Sequence, residues 1–163
     1  MLKLLRRKAR LVVRGYKQQA GIDYFNTFTN VLRYATFRIL CAKAASEDWE
    51  MNHVDIDTAF LNPELKEEVY MKLPQFIEEI IPGLEGKGAY LKLNMALYGL
   101  KQALRAWFDT VKLHFDKLGL KASFADPNLF IGEGVYVLLF VNDMLIIGPK
   151  SKTNSIKKKI LSK

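Results

Sequence analysis

The amino-acid sequence predicts an α+β fold in which helices pack on a largely antiparallel sheet, and three observations support that prediction. The segments 35–48 and 103–118 place apolar residues at the spacing of one helix face. The runs 136–141 and 144–147 are apolar β-formers separated by two residues, which is the pattern of a tight hairpin. A further strand candidate, 51–57, lies between the two helices. This order of elements is typical of one mixed domain.

The first third of the chain contains a strand candidate and a helix. Residues 10–16 are the strand candidate, and an irregular stretch follows through Asn30. The segment 35–48 is predicted to be helical, with Thr36 near its start as a possible N-cap. Its apolar face consists of residues at i, i+3, i+4 and i+7, namely Phe37, Leu40, Cys41 and Ala44.

The next strand, 51–57, alternates between apolar and polar residues. Val54 and Ile56 point to one face, and the other face carries His53, Asp55 and Asp57. The sequence therefore predicts two carboxylates on the polar face of this strand.

The middle of the chain is predicted to be mostly loop. The stretch 61–88 contains three prolines and three glycines, although 74–81 is compatible with a short helix. A strand at 89–93 then leads into the second helix, 103–118, which Gly119 is well placed to end.

The last part of the chain predicts a hairpin with an acidic tip. Asp126-Pro127 is a turn signal, and a short strand at 129–131 follows it. In the hairpin, Asn142 and Asp143 are the two residues between the strands, so they are predicted to form the turn.

Composition excludes several classes of protein. Half of the 163 residues are hydrophobic and 12% are aromatic, which is too apolar for a disordered chain. The longest apolar stretch, 134–148, contains Asn142 and Asp143 and is shorter than the ~20 residues that a membrane-spanning helix needs. The N-terminus has no apolar signal-peptide core, and the single Cys41 forms no intrachain disulfide. We therefore expect an intracellular location, in cytoplasm or nucleus, and no membrane.

Charge is distributed unevenly along the chain. Residues 1–19 carry seven Lys/Arg and no acid, and residues 150–163 carry six Lys and no acid. The remaining residues hold twelve basic and seventeen acidic side chains. An acidic body with basic ends suits a protein that offers carboxylates to a metal and Lys/Arg to a phosphate backbone. Lysine-rich ends are equally typical of solvated tails, so both interpretations stay open.

The acidic residues suggest one kind of chemistry. Two-metal nucleotidyl transfer needs carboxylates that hold a pair of Mg²⁺ ions, and Asp55 beside Asp143 would supply them. Asn-Asp is also a common turn dipeptide, and a strand aspartate is more often a surface residue. His53 and His114 have no partner at zinc-ligand spacing. The residues alone therefore leave the site open.

Six blocks together resemble a known family. They are KARLVVRGYKQQAGIDYFNTF (8–28), VDIDTAFLN (54–62), LKEEVYM (65–71), ALYGLKQALRAW (96–107), ADPNLF (125–130) and LLFVNDMLIIG (138–148). In order and spacing they resemble copia-type long-terminal-repeat retrotransposon reverse transcriptases. The resemblance implies right-hand polymerase fingers and palm with a ferredoxin-like palm core, and RNA-directed DNA polymerase activity on an RNA or DNA template-primer and dNTP.

The resemblance also implies a metal centre. Asp55 corresponds to the first catalytic aspartate, and Asn142 with Asp143 to the second acidic motif, where the family has two aspartates. Two Mg²⁺ ions are expected at Asp55, Asp143 and the backbone carbonyl of Ile56. Phe60 matches the aromatic residue that excludes a ribose 2′-OH.

Other implied contacts are with nucleotide and template. Lys8, Arg10 and Arg14 fall in the fingers block, where a basic residue contacts the triphosphate, and the choice among the three stays open. Gly99 and Gln102 fall in the segment that supports the nascent base pair and template.

The resemblance covers 1–163 as a single, partial domain. Segments of about 1–50 and 61–105 are fingers-like, and 51–60 and 106–163 are palm-like. The thumb and ribonuclease H domain are expected to be missing, so the domain is expected to be truncated at both ends.

Asn142 is the departure with the largest expected consequence. It lowers the formal charge of the ligand set from −3 to −2, and an amide oxygen is a weaker magnesium ligand than a carboxylate. The chain is therefore expected to be an impaired or inactive polymerase. The alternative is a non-catalytic remnant that binds nucleic acid.

Overall fold

The computed structural model describes residues 9–83 and 88–162. The helices are α1 (Tyr34–Ser46), α2 (Ile77–Ile80), α3 (Ala103–Lys117) and α4 (Lys150–Leu161). The strands are β1 (Glu50–Asp55), β2 (Glu64–Lys72), β3 (Tyr90–Met95), β4 (Lys121–Ala122), β5 (Leu129–Gly132), β6 (Val135–Phe140) and β7 (Asp143–Gly148). Every strand pairing is antiparallel, so the predicted α+β class with antiparallel sheets is confirmed.

The chain divides into two compact units. Unit one comprises Met1–Thr27 and Phe60–Ala106, and unit two comprises Phe28–Ala59 and Trp107–Lys163. Unit one contains a two-stranded sheet, β2-β3, and unit two contains a five-stranded sheet in the order β1-β7-β6-β5-β4. In the described residues, no helix is both long enough and apolar enough to cross a membrane.

The two faces of the five-stranded sheet are covered by different helices. Leu40 and Ala44 of α1 pack with Leu138 and Ile147 on one face. On the other face, the ring of Phe115 from α3 meets that of Phe130 edge-on, with centroids 4.8 Å apart. The residues of β6 and β7 are therefore buried between helices, which explains why both strands are almost continuously apolar.

A buried aspartate ties the start of α1 to the loop before β5. The Asp126 carboxylate accepts hydrogen bonds from the backbone N–H of Arg33 at 3.0 Å and from the Thr36 hydroxyl at 2.6 Å. It also accepts the backbone N–H of Asn128 at 3.1 Å. Asp126 therefore satisfies an N-terminal amide that the helix cannot satisfy internally. The prediction of Thr36 as an N-cap is wrong, because its hydroxyl bonds to Asp126 instead.

Replacing Asp126 with Ala is expected to lower the free energy of unfolding by about 3 kcal/mol, since buried donors lose a charged acceptor. Urea denaturation followed by circular dichroism measures the change. Asp116→Ala is the matched control, because Asp116 pairs with Lys121 at the surface and should cost below about 1 kcal/mol. Equal losses in the two variants would contradict the structural role of Asp126.

Unit one is organised around β2, which lies in a stretch that the sequence predicted to be loop. That prediction is wrong for Glu64–Lys72, although the predicted short helix within 74–81 is present as α2. Alternate residues of β2 do face inward, and Val69 is buried with Ala96 and Leu100. Charged residues on the outer face hide this period in the sequence. One of them, Glu68, accepts a hydrogen bond from the ammonium group of Lys92 on β3 and thereby raises the pKa of Lys92.

Two further strand predictions need correction. Residues 10–16 form no strand: the backbone N–H of Val13 donates to the Tyr98 carbonyl at 2.7 Å, and a short 3-10 turn, Gly15–Lys17, follows. The predicted strand 51–57 ends earlier, at Asp55. Asp57 lies in a turn in which the next residue, Thr58, has a φ of 54°. Asp57 therefore does not share the strand face of Asp55.

Candidate active site

The structure places the two predicted carboxylates directly opposite each other. Asp55 is the last residue of β1, Asp143 is the first residue of β7, and the two are paired in the ladder register. Directly opposed residues project from the same face with Cβ atoms about 4.5–5.5 Å apart. Strand pairing thus joins side chains that are 88 positions apart in the sequence.

The tip of the hairpin lies one residue earlier than predicted. Asp143 pairs with both Phe140 and Asp55, so it belongs to the ladder, and the two loop residues are Val141 and Asn142. The prediction of Asn142-Asp143 as the turn is therefore wrong. Val141 has a φ of 56°, a left-handed conformation that costs a β-branched residue about 1–3 kcal/mol.

Two hydrogen bonds hold this strained loop. The indole N–H of buried Trp107 donates to the Val141 carbonyl at 2.6 Å. The backbone N–H of Ile56 donates to the Asn142 carbonyl at 3.0 Å. The loop is therefore fixed from α3 on one side and from the end of β1 on the other. The implied role of the Ile56 carbonyl as a metal ligand stays a prediction.

Trp107→Phe is expected to lower the free energy of unfolding by about 2 kcal/mol, because the Val141 carbonyl loses its donor and the smaller ring leaves a void. Denaturation in urea measures this loss. Trp49→Phe is the matched control, since Trp49 stacks on Tyr136 with ring centroids 5.9 Å apart and is not among the residues that hydrogen-bond to the loop. A loss for Trp107→Phe no larger than for the control would contradict the role of the indole N–H.

Asn142 carries a polar atom without a partner. Its side-chain oxygen Oδ1 is buried and accepts no hydrogen bond from any described residue. A buried acceptor left unsatisfied costs about 1–3 kcal/mol. This oxygen, one residue from Asp143, is therefore a polar atom that the described residues leave unsatisfied.

His53 is a neighbour of the carboxylates whose contact the sequence did not predict. Its Nε2 lies 2.8 Å from Oδ1 of Asp143, at hydrogen-bond distance, and both side chains are more than half exposed. His53 lies diagonal to Asp143 across β1 and β7, and only the strand register could have indicated this. The contact engages one of the two oxygens with which Asp143 could bind a cation.

An apolar cavity of about 400 Å³ opens beside this contact. Besides His53 and Asp143, its walls come mainly from α1 and from the β6-β7 hairpin, including Phe37 and Phe140. Low-polarity walls strengthen the interaction of a carboxylate with a cation. The cavity therefore gives Asp143 a less water-like environment on one side.

The donor set suits a hard cation. Two carboxylates and one amide oxygen are oxygen ligands of the kind that Mg²⁺ prefers, with water and phosphate completing the octahedron. Among the described residues, no three His, Cys, Asp or Glu side chains are grouped to hold a metal ion. A divalent ion on this face would therefore have Asp55 and Asp143 as its two protein carboxylates.

The basic and aromatic candidates lie in unit one. Arg10 and Arg14 are exposed, and the Arg10 guanidinium lies 5.5 Å from the centroid of the Tyr98 ring. Phe60 meets the same ring edge-on at 5.5 Å. Lys8 lies outside the described residues. The nucleotide contacts expected of these side chains stay predictions.

Backbone conformation and packing explain the residue types at Gly99 and Gln102. Gly99 has a φ of 91°, and a Cβ there would lie 2.1 Å from the Val13 carbonyl oxygen, so only glycine fits. Gln102 is buried, accepts a hydrogen bond from Gln18 at 3.0 Å and donates to the Asp23 carbonyl at 2.9 Å. Their role in supporting the template stays a prediction.

Comparisons with known proteins identify the family. A family model described as reverse transcriptase (RNA-dependent DNA polymerase) matches residues 1–163. The chain is 39% identical over 150 residues to the retrovirus-related Pol polyprotein from transposon RE1 of Arabidopsis thaliana, covering 89% of this chain and 10% of that protein. It is 38% identical over 151 residues to the corresponding polyprotein from transposon TNT 1-94 of Nicotiana tabacum, covering 90% and 11%.

A more distant relative is the transposon Ty1-BL Gag-Pol polyprotein of Saccharomyces cerevisiae, which is 28% identical over 157 residues, or 96% of this chain and 8% of that protein. The chain spans about a tenth of the length of the curated relatives it matches. No solved structure matches the chain significantly. The match over the whole sequence and the two plant relatives confirm the resemblance inferred from the sequence blocks, and the chain belongs to the reverse transcriptase (RNA-dependent DNA polymerase) family, of the copia type.

Proposed function

We propose that the Asp55–Asp143 pair is the metal centre of an RNA-directed DNA polymerase site. The observation that carries the proposal is the pairing of these two carboxylates across β1 and β7, beside a hairpin loop held by Trp107 and Ile56. Family membership implies a divalent metal, a nucleic-acid template and nucleotide substrates in general. We assign Mg²⁺, a template-primer and dNTP to this site.

Each part of the site has a distinct task in this proposal. Asp55 and Asp143 concentrate negative charge on one face of the sheet, where they would hold divalent metal. Bound Mg²⁺ would activate the primer 3′ oxygen and stabilise the leaving pyrophosphate. Trp107 keeps the loop conformation, so that Asp143 stays aligned with Asp55.

Unit two supplies the palm in this proposal. It contains 51–59 and 107–162, which is most of the two palm-like segments, and α1 also belongs to it by its contacts. Arg10, Arg14 and Phe60 of unit one are assigned to nucleotide binding on the strength of the family resemblance.

The proposed site is weakened in two ways. Asn142 leaves the ligand set one carboxylate short, and the contact with His53 engages an oxygen of Asp143. Removing a partner outside the metal's direct ligands already lowers affinity or activity by ~10–100-fold, so a missing ligand carboxylate should lower it at least as much. We therefore propose slow synthesis with Mg²⁺.

Single-nucleotide primer extension on an RNA template tests the proposal. The unmodified chain is expected to add a nucleotide slowly, and Asp55→Asn is expected to abolish the addition. Asp57→Asn is the matched control, since Asp57 is exposed in the adjacent turn and lies outside the ladder. Extension that survives Asp55→Asn, or that Asp57→Asn removes equally, would refute the assignment of Asp55.

A further inference from the structure

The lysine-rich segment that follows the hairpin is an amphipathic helix rather than a solvated tail. In α4, Thr153, Ile156 and Ile160 are buried and follow one another at helical spacing. The interpretation of 150–163 as a tail is therefore wrong for the described part of that segment. The buried residues fix which lysines face outward.

The outer surface of α4 is strongly basic. Within 150–162 there are five lysines and no acidic residue. Lys150 forms an ion pair with Glu50 at 3.0 Å. The other four, Lys152, Lys157, Lys158 and Lys159, form no ion pair with any described residue. Lys157 is half-buried and lies on the opposite flank of the buried stripe from Lys152 and Lys159. We call the three exposed lysines, Lys152, Lys158 and Lys159, the lysine face.

The lysine face is long enough to follow a phosphate backbone. Lys152 and Lys159 are seven residues apart, so they lie on one flank of the helix about 10.5 Å apart along its axis. With Ser155 and Glu133 they line a concavity of about 350 Å³. One strand of a duplex presents a phosphate every ~3.4 Å along its axis, so this flank spans about three of them.

The lysine face lies on the opposite side of the sheet from the carboxylates. α4 packs against β1 and β7. On β1, Met51, His53 and Asp55 are exposed, whereas Val54, which points the other way, is buried. The helix therefore covers the Val54 side, and its lysines are remote from the Asp55 side.

The chemistry of this surface favours nucleic acid over a protein or a membrane. The central outward residues Ser151, Asn154, Ser155 and Lys158 are polar and exposed, and the exposed apolar residue of α4 is Leu161 at its C-terminal end. A protein interface or a membrane-binding helix needs apolar residues at its centre. Isolated ammonium groups along a helix instead suit phosphate contacts, which position a protein without reading bases.

We propose that the lysine face of α4 binds the phosphate backbone of nucleic acid, independently of base sequence and separately from the Asp55–Asp143 centre. The inference goes beyond the polymerase proposal, because it requires neither a metal nor catalysis. The lysine face would give the domain a second template-binding surface, on the side of the sheet away from the Asp55–Asp143 centre.

Fluorescence anisotropy with a labelled single-stranded RNA, titrated at several salt concentrations, tests the proposal. The triple variant Lys152→Gln, Lys158→Gln, Lys159→Gln is expected to weaken binding about 10-fold or more. The slope of log affinity against log salt should fall by about 2, at roughly 0.7 per lost phosphate contact. Replacing the same three lysines with Arg should preserve binding.

Two comparisons decide the outcome. The control variant Lys66→Gln, Lys72→Gln, Lys112→Gln removes the same charge from exposed positions on β2 and α3. The titration is carried out without divalent metal or dNTP, so its result does not require the Asp55–Asp143 centre and is distinct from the test of the polymerase site. Equal weakening and equal salt slopes in the α4 and control variants would overturn the proposal, as would RNA binding without salt dependence.

Discussion

Asn142→Asp is expected to raise the affinity of the site for Mn²⁺, a paramagnetic substitute for Mg²⁺, by at least ~10–100-fold. The variant restores a third carboxylate next to Asp143. Because Asn142 Oδ1 has no hydrogen-bond partner among the described residues, no internal contact competes with the ion for the new oxygen. Electron paramagnetic resonance of free Mn²⁺ measures the affinity, and single-nucleotide insertion should rise with it.

The same substitution has a second expected effect, on stability. A carboxylate at this partly buried position lacks a compensating charge until a metal binds. The Asn142→Asp variant should therefore have a lower melting temperature than the unmodified chain in metal-free buffer. Added Mn²⁺ should raise the melting temperature of the variant more than that of the unmodified chain.

Asn52→Asp is the matched control for both effects. Asn52 is also partly buried and also has an unpartnered side-chain atom, but it lies on β1 on the opposite face from Asp55. Asn52→Asp adds the same negative charge, but away from the Asp55–Asp143 pair. An equal gain in Mn²⁺ affinity from Asn52→Asp would mean that net charge, rather than a third ligand, causes the effect.

Asp143→Asn is expected to remove Mn²⁺ binding almost completely. It leaves Asp55 as the site's remaining carboxylate, and one carboxylate with neutral ligands holds a divalent ion weakly. Binding should weaken by at least another ~10–100-fold, and single-nucleotide insertion should disappear.

The contact with His53 supplies the control for this second prediction. Asp143→Asn also alters the contact with His53, so His53→Gln is tested beside it. His53→Gln is expected to retain Mn²⁺ binding, because it leaves both carboxylates in place. A loss of binding in His53→Gln as large as in Asp143→Asn would show that the contact, and not the carboxylate, is what the site requires.

Local sequence patterns predicted those helices and strands in which apolar residues recur at regular spacing within a short segment. The helix at α1, the helix at α3 and the β6-β7 hairpin follow from apolar spacing, and the structure confirms all three. The strand β2 and the helix α4 were not predicted, because the many charged residues on their outer faces obscure the regular spacing of the inward-facing residues.

The details of the site depend on contacts that no local pattern encodes. The hairpin turn lies at Val141-Asn142 because Asp143 is paired on both sides, and strand register decides that pairing. The hydrogen bonds of Trp107 to Val141 and of Thr36 to Asp126 join residues 34 and 90 positions apart. The family resemblance, rather than residue spacing, indicated that Asp55 and Asp143 belong together.

Asp55, Asp143 and position 142 are proposed to share a metal ion. Mn²⁺ titration of four chains tests this proposal most directly, namely the unmodified chain, Asp55→Asn, Asn142→Asp and the double variant. Ligands of one ion are coupled, so the gain from Asn142→Asp is predicted to vanish, or nearly so, when Asp55 is Asn. A gain of the same size in both backgrounds would contradict the shared centre.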